Sequence, residues 1–141
     1  MKLGVGGIIL KDNETLLVLR QNCSTFNDMW ANPGGSPEGD ESPEQTAIRE
    51  LEEELGVKTR VLKRLDDYLH IVDNKLRGVF TGYLVEILEE EPRNNHPEKI
   101  KEIRYFPLSN LPKNLAPFTR KYLEVLVEEQ RLQRESLSTE D

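Results

Sequence analysis

The chain has 141 residues, of which 36% are apolar and 32% charged, and its formal net charge is -7. This length suits a single domain that can bury a core, and the composition is that of a folded globular protein. The negative charge argues against general nucleic-acid binding, which relies on clustered Lys and Arg. No stretch approaches the roughly 20 apolar residues of a membrane span. Cys23 is the single cysteine, so an intrachain disulfide is excluded and a cytoplasmic location is permitted.

The N-terminal residues predict a β-hairpin. Two apolar runs, Leu3–Leu10 and Thr15–Arg20, are separated by an Asp12-Asn13 turn. The first run is interrupted by glycines and lacks a small-residue cleavage site, so we interpret it as a strand and not as a signal peptide. The polar segment Gln21–Met29 that follows is predicted to be a loop.

A helix with well-defined ends is predicted next. Ser42 is suited to the N-cap, Pro43 to the first helical position, and Gln45 to the third position of a capping box, while Gly56 provides the stop. Apolar residues recur at the helical period and mark the side that faces a core: Ala47, Ile48, Leu51 and Leu55.

The same helix carries three glutamates, Glu50, Glu53 and Glu54, on a different face. Like-charge neighbours at these spacings each cost about 0.2 to 0.5 kcal/mol, and the helix macrodipole disfavours negative charge at the C-terminal turn. Arg49 can neutralise only part of this charge. Most acidic helix faces are simply solvated surfaces, but a face this unfavourable also suggests that the glutamates have a ligand.

A glycine-rich turn, Pro33-Gly34-Gly35, precedes this helix. Glycine permits close approaches that other side chains block, so backbone carbonyls of the turn could join the carboxylates as ligands. All-oxygen coordination suits Mg²⁺ or Mn²⁺, and Mg²⁺ is usually held by a few carboxylates together with substrate phosphates. The turn and the acidic face together predict a divalent-metal site.

The spacing of these residues resembles a known family signature. Five residues separate Gly35 from Glu41, and seven more lead to the run Arg-Glu-Leu-Glu-Glu-Glu-Leu-Gly-Val at positions 49–57. This pattern matches the full Nudix box and is far more specific than a lone glycine motif. The resemblance implies an α/β fold, an α/β/α sandwich with a mixed β-sheet. It also implies metal-assisted hydrolysis of a nucleoside diphosphate linked to another group.

The resemblance also implies roles for individual residues. Four metal ligands are expected: Gly34 through its carbonyl, Glu50, Glu53 and Glu54. Arg49 is expected to hold the acidic cluster in place, and Glu41 to support the loop and the helix N-terminus rather than bind metal. The general base is expected to be Glu50 or Glu53, with Glu98 from a distant loop as the outside candidate. On composition alone, a surface charge is an equal alternative for Glu98.

The central part of the chain predicts a second hairpin. The segments Lys58–Val72 and Lys75–Leu88 contain β-branched and aromatic residues and flank a turn at positions 73–74. The acidic stretch Glu89–Lys101 is predicted to be a loop, and Ile103–Pro107 a short strand.

The C-terminal part predicts one more helix, Pro117–Gln133, from apolar residues at helical spacing. Residues 134–141 are predicted to form a polar tail. The expected organisation is therefore a single Nudix hydrolase domain over residues 1–133.

Substrate contacts are indicated by weaker signals. Arg20, at the end of the second strand, could contact phosphate or be an ordinary strand-end charge. The region from Phe106 to Pro117 is similar to small MutT-type pyrophosphohydrolases, and Asn114 corresponds there to a base-contacting asparagine, although a turn role is an equal alternative. Asn32 departs from the apolar residue usual before Pro-Gly-Gly in the family. His96 has no recognisable partner spacing, so a structural role is expected.

The function expected from the resemblance is that of a Mg²⁺-dependent, MutT-like pyrophosphohydrolase. It would cleave nucleoside triphosphates, including oxidised or non-standard ones, to a nucleoside monophosphate and pyrophosphate. One alternative is hydrolysis of nucleoside diphosphate derivatives such as ADP-ribose. Another is a non-catalytic nucleotide-sensing module, which is disfavoured because the three box glutamates are retained. The expected partner is a small-molecule nucleotide, with no nucleic acid and no membrane, and the chain is expected to be a monomer or a homodimer.

Overall fold

The computed structural model describes residues 1–138. Within this range the chain forms seven strands and two helices in the order β1 (Lys2–Lys11), β2 (Glu14–Arg20), β3 (Trp30–Ala31), β4 (Gly34–Gly35), α1 (Pro43–Leu55), β5 (Lys58–Val72), β6 (Lys75–Glu89), β7 (Ile100–Pro107) and α2 (Pro117–Ser138). No helix in the described part of the chain combines the length and apolar character needed to cross a membrane.

The strands form one mixed sheet. Its main path is β3-β2-β1-β6-β5, with β4 paired to β1 and β7 paired to β2. The β1–β6 pair is parallel, whereas β1 pairs antiparallel with β2 and with β4. Strand β1 thus lies at the centre and brings the short glycine strand β4 beside it.

Side chains alternate between two cores because successive residues of a strand point to opposite faces. On β1, Val5 and Ile9 pack in a core with the predicted apolar stripe of α1 except Ile48, which is half-buried and outside this core, and Ile8 packs in a second core with α2. On β2, Leu16 and Leu17 divide in the same way. The α/β/α sandwich with a mixed sheet is therefore confirmed.

Several predicted boundaries differ from those observed. Strand β7 begins at Ile100, not Ile103, because a bulge at Leu19/Arg20 allows pairing with β2 to continue. The glycine turn includes strand β4. Helix α2 continues past Gln133 to Ser138, and ion pairs of Arg131 with glutamates one turn away on either side support the extension. Residues 139–141 of the predicted tail lie outside the described residues.

Helix α2 packs closely against the sheet at Gly82, which predicts a sensitive position. A Cβ atom added there would lie 2.5 to 2.7 Å from the ring of Tyr122. We expect Gly82→Ala to lower the free energy of unfolding by roughly 1 to 3 kcal/mol, because the ring must move out of a packed core. Chemical denaturation measures this change. In a Tyr122→Leu background the penalty should shrink; an equal penalty in both backgrounds would contradict the packing argument.

Candidate active site

Both end signals of helix α1 take their expected form. The Ser42 hydroxyl accepts a hydrogen bond from the backbone N–H of Gln45 at 3.2 Å, and the Gln45 side chain accepts one from the Ser42 N–H at 2.9 Å. Gly56 adopts the left-handed conformation, with φ of 68°, and ends the helix. These caps fix which residues of α1 face the glycine strand.

Arg49 joins the loop before α1 to the acidic face of the helix. Its guanidinium donates to both carboxylate oxygens of Glu41, at 2.6 and 3.0 Å, and to the Ser36 carbonyl at 2.9 Å. Its Nη1 also donates to Glu50 at 3.0 Å and to Glu53 at 3.2 Å. Glu41 therefore contacts arginine, not the cavity, and the Arg49 hydrogen bonds lower its pKa to about 2.

Glu50 lies directly over strand β4. A Cβ atom at Gly35 would lie 2.3 Å from the Glu50 carboxyl carbon, so the carboxylate occupies space that any other residue would fill. The Glu50 side chain is only 14% exposed. Burial raises its pKa, and the hydrogen bond from Arg49 opposes that shift.

Glu54 is the most strongly perturbed carboxylate of the helix. The backbone N–H of Gly34 donates to its Oε2 at 3.1 Å. Burial, followed by the charge of Glu50, raises the pKa of Glu54 to about 8, although the Gly34 hydrogen bond acts in the opposite direction. Glu53, by contrast, has a side chain that is 54% exposed. The three glutamates thus differ in exposure: Glu50 and Glu54 are shielded from solvent, and more than half of the Glu53 side chain is exposed.

A cavity of about 310 Å³ opens beside these carboxylates. Its acidic part is lined by Glu50 and Glu54 together with both glycines of β4. Its other walls include aromatic and basic side chains. The aromatic ones are Phe26, Phe80, Phe118 and Tyr122, and the basic ones are Lys2, Arg20 and Lys99. The Phe118 ring centroid lies 5.3 Å from that of Phe26 and 5.4 Å from that of Phe80. Carboxylates, cations and aromatic faces therefore meet in one space.

The loop between β6 and β7 is fastened to the end of α1. The backbone N–H of Asn95 donates to the Glu54 carbonyl at 2.9 Å, and its side chain donates to the Glu53 carbonyl at 3.1 Å. These bonds satisfy helix-end carbonyls that would otherwise lack partners. The loop brings His96 to the cavity wall. Glu98 has a side chain that is 76% exposed and pairs with His96 Nε2 at 3.0 Å.

His96 is a cavity residue that sequence reasoning did not identify. Nothing in its spacing distinguished it from an ordinary loop histidine, because its place at the cavity depends on the docking of this loop to α1. A Glu residue two positions further along, Glu98, was the only related signal.

The two predicted substrate contacts have different positions. Arg20 lines the cavity, and its Nη2 donates to the Thr25 carbonyl at 3.0 Å while its buried Nε has no partner in the described structure. Asn114 does not line the cavity; its side chain donates to the Asp28 carbonyl at 2.7 Å. The structure therefore places Arg20 at the cavity and Asn114 against the loop that contains Asp28, while the substrate role of each stays a prediction. Asn114 fastens the loop before Trp30.

The acidic part of the cavity fits a divalent cation by its donor chemistry, although it holds no preformed cluster of ligands within the described residues. Among residues 1–138, no three Asp, Glu, His or Cys side chains converge closely enough to form a ready metal cluster. Arg49 is hydrogen-bonded to both Glu50 and Glu53. The donor chemistry nevertheless fits a hard cation, because Glu50 and Glu54 are desolvated carboxylates with raised pKa values. Gly34 is seen to contact Glu54 through its N–H; a role for its carbonyl stays a prediction.

The structure combines a mixed-sheet sandwich with an acidic, capped helix beside a glycine strand. These features match the class of fold that the resemblance to the Nudix box implied. Residues 1–126 match the model of the NUDIX domain family, and the chain therefore belongs to the Nudix hydrolase family.

Individual relatives agree with this assignment. The chain is 34% identical over 113 residues to an ADP-ribose pyrophosphatase of Methanocaldococcus jannaschii, covering 79% of this chain and 64% of that protein. It is 30% identical over 118 residues to an RNA pyrophosphohydrolase of Brucella anthropi, covering 70% and 68%. The crystal structure of a MutT NUDIX hydrolase from Burkholderia pseudomallei superimposes with a TM-score of 0.81 at 32% identity, covering 89% of this chain and 97% of that one. The chain thus spans less than two thirds of the Methanocaldococcus protein.

The raised pKa of Glu54 predicts how stability depends on pH in metal-free protein. A folded-state pKa of about 8, against an ordinary value of 4.5, means that between these limits the folded state binds more protons than the unfolded state. Stability should therefore fall as pH rises from about 5 to 8. We expect Glu54→Gln to flatten part of this decline and to raise the free energy of unfolding at pH 8 by roughly 1 to 3 kcal/mol.

Denaturation in the presence of a chelator, repeated across this pH range, measures the effect. Glu52→Gln is the matched control, since Glu52 lies in the same turn with its residue exposed. Equal pH profiles for the wild type and Glu54→Gln would show that the buried carboxylate is not the origin of the decline.

Proposed function

We propose that this protein is a divalent-metal-dependent pyrophosphohydrolase that cleaves nucleoside triphosphates to a nucleoside monophosphate and pyrophosphate. The observation that carries the proposal is one cavity in which partly buried carboxylates meet basic and aromatic walls. Aromatic faces suit a nucleobase, and basic side chains suit phosphates. Oxidised or non-standard nucleotides are included as candidate substrates. A cytoplasmic location belongs to the same proposal and is compatible with a free thiol at Cys23.

Mg²⁺, or Mn²⁺, is the proposed metal, held by Glu50, Glu53 and Glu54 with the carbonyl of Gly34. When bound, it would lower the pKa of a coordinated water and offset charge on the phosphoryl oxygens. The carboxylates of α1 suit this role because a cation would compensate the desolvation that now raises the pKa values of Glu50 and Glu54.

The chain's own residues supply positioning and proton transfer. Arg49 fixes the orientation of Glu50 and Glu53 while its other nitrogens hold Glu41. Water attacks a phosphorus atom of the substrate, a P–O–P linkage breaks, and the proton of the water passes to a carboxylate. Glu50 is the proposed base, because its partly buried carboxylate lines the cavity and burial raises its pKa above the ordinary value, which strengthens it as a proton acceptor. Glu53 is one alternative for the base. Glu98, which lies on the same loop as His96, is the other.

Arg20 is the proposed phosphate contact. It lines the cavity, its Nε has no hydrogen-bond partner within the described residues, and its charge lowers the pKa of Glu54. A planar guanidinium with a free donor matches a phosphate oxygen. Lys99, on the same cavity, would add a second positive charge.

Hydrolysis of ADP-ribose is the second candidate, supported by the similarity to the Methanocaldococcus ADP-ribose pyrophosphatase. The two functions differ in substrate and in products. Incubation with Mg²⁺ and a panel of nucleoside triphosphates, 8-oxo-dGTP and ADP-ribose, followed by product separation, distinguishes them. We expect pyrophosphate and a nucleoside monophosphate from triphosphates. Formation of AMP and ribose 5-phosphate, with triphosphates left intact, would establish the second candidate instead. Tight binding without turnover of any compound would favour a sensing role.

Glu54→Gln tests the proposed ligand set. We expect kcat to fall by at least about 100-fold, since a ligand of the charge-compensating metal is removed. We also expect Mn²⁺ to raise the melting temperature of the wild type but not of this variant, a binding readout that does not depend on activity. Glu52→Gln is again the control and should retain both properties. Undiminished turnover and an undiminished Mn²⁺ shift in Glu54→Gln would exclude Glu54 as a ligand.

A further inference from the structure

Asn32 and Thr119 form a buried hydrogen-bonded pair between the glycine turn and helix α2. The Thr119 hydroxyl accepts from the backbone N–H of Asn32 at 2.9 Å and donates to its Oδ1 at 2.6 Å. The Asn32 Nδ2 donates to the carbonyl of Pro33 at 3.1 Å. Thr119 is fully buried and Asn32 is 5% exposed. This network fixes the amide, because a carbonyl oxygen cannot replace the NH₂ group beside the Pro33 carbonyl.

The fixed amide belongs to the cavity wall. Asn32 and Gly6 both line the cavity, and a Cβ atom at Gly6 would lie 2.2 Å from the Asn32 Nδ2. Asn32 stands two residues before Gly34, whose N–H binds Glu54. Its partner Thr119 follows Phe118, which lines the aromatic wall. The Asn32–Thr119 pair therefore joins the segment that forms the acidic part of the cavity to the helix that contributes Phe118 to its aromatic part.

The pair leaves one polar group for a ligand. A carboxamide nitrogen has two hydrogens, and one of them is used by the Pro33 carbonyl. The Oδ1 is engaged by Thr119. The Oδ1 keeps a second lone pair but faces the fully buried Thr119, so the group that Asn32 leaves wholly unpartnered is one amide hydrogen, a hydrogen-bond donor.

We propose that Asn32, oriented by Thr119, selects the nucleobase, a role that rests on the function proposed above. Its free N–H donates to a carbonyl oxygen on the base edge and so favours keto bases, namely guanine, hypoxanthine, uracil and thymine. An exocyclic amine at the same place, as in adenine or cytosine, presents hydrogen to hydrogen and leaves the donor unpaired in a desolvated site. Asn114, the candidate from sequence, is already bonded to Asp28 outside the cavity.

Substrate pairs that exchange this keto group for an amine, and with it the hydrogen on the adjacent ring nitrogen, provide the test. ITP and ATP differ at position 6 of the purine, and UTP and CTP at position 4 of the pyrimidine. We expect the wild type to favour the keto member of each pair by about tenfold in kcat/KM, the value of one buried hydrogen bond. Asn32→Leu should reduce this ratio to near one.

Thr119 is a positioning residue, and two variants separate its hydroxyl from its packing. Thr119→Ser keeps the donor to Oδ1 and should keep the keto preference. Thr119→Val removes the donor, frees the amide to turn, and should lose much of the preference. Circular dichroism and denaturation of each variant verify that the fold persists. If Thr119→Val does not fold, the Asn32→Leu and Thr119→Ser ratios still decide the question.

The failures are distinguishable. Turnover of nucleoside triphosphates by the wild type, with the same keto preference in Asn32→Leu, would overturn the role of Asn32 and leave the proposed function standing. An equal loss for all four substrates in Asn32→Leu would assign the donor to ribose or phosphate and overturn base selection. Absence of triphosphate turnover by the wild type would overturn both proposals.

Discussion

The site depends on how closely the acidic face of α1 approaches the glycine strand β4. Glu50 lies where a side chain at Gly35 would lie, and Glu54 accepts the N–H of Gly34. This approach shields both carboxylates from much of the surrounding water, which raises their pKa values. Arg49 compensates the charge only in part, because two of its nitrogens hold Glu41. The close packing of α1 against the backbone of β4 therefore maintains the unfavourable negative charge at the site.

The features predicted correctly from sequence were those encoded locally. The caps of α1, its apolar stripe and the acidic face follow from residues within a few turns of one another, and the observed helix begins and ends where Ser42 and Gly56 place it. The family signature has the same origin, since its positions span one loop and one helix. Strand β4 was not predicted, because two glycines carry no strand pattern and their pairing partner in β1 lies far away in the chain.

The remaining parts of the site are set by contacts between distant segments. His96 reaches the cavity because Asn95 donates hydrogen bonds to carbonyl groups at the end of α1. Other segments could donate to the same carbonyls, so the sequence does not indicate which one does. Asn114 fitted a base-contacting position by alignment, but its amide is directed to Asp28 by the packing of two loops. The partner of Asn32 is a threonine in the last helix. None of these pairs has a spacing that single-sequence reasoning can recognise.

The basic wall of the cavity explains how an acidic chain can be suited to an anionic ligand. Three separate segments contribute the basic residues Lys2, Arg20 and Lys99 to the cavity. Their convergence therefore cannot be inferred from the net charge of -7. The loop that follows Arg20 is bonded to the loop that carries Lys99: Asn22 donates to the Glu98 carbonyl at 2.9 Å, and Lys99 Nζ donates to the Asn22 carbonyl. Overall charge disfavours long polyanions because these must contact an extended surface. It does not disfavour one small phosphorylated molecule, since such a ligand meets only the local field inside the cavity.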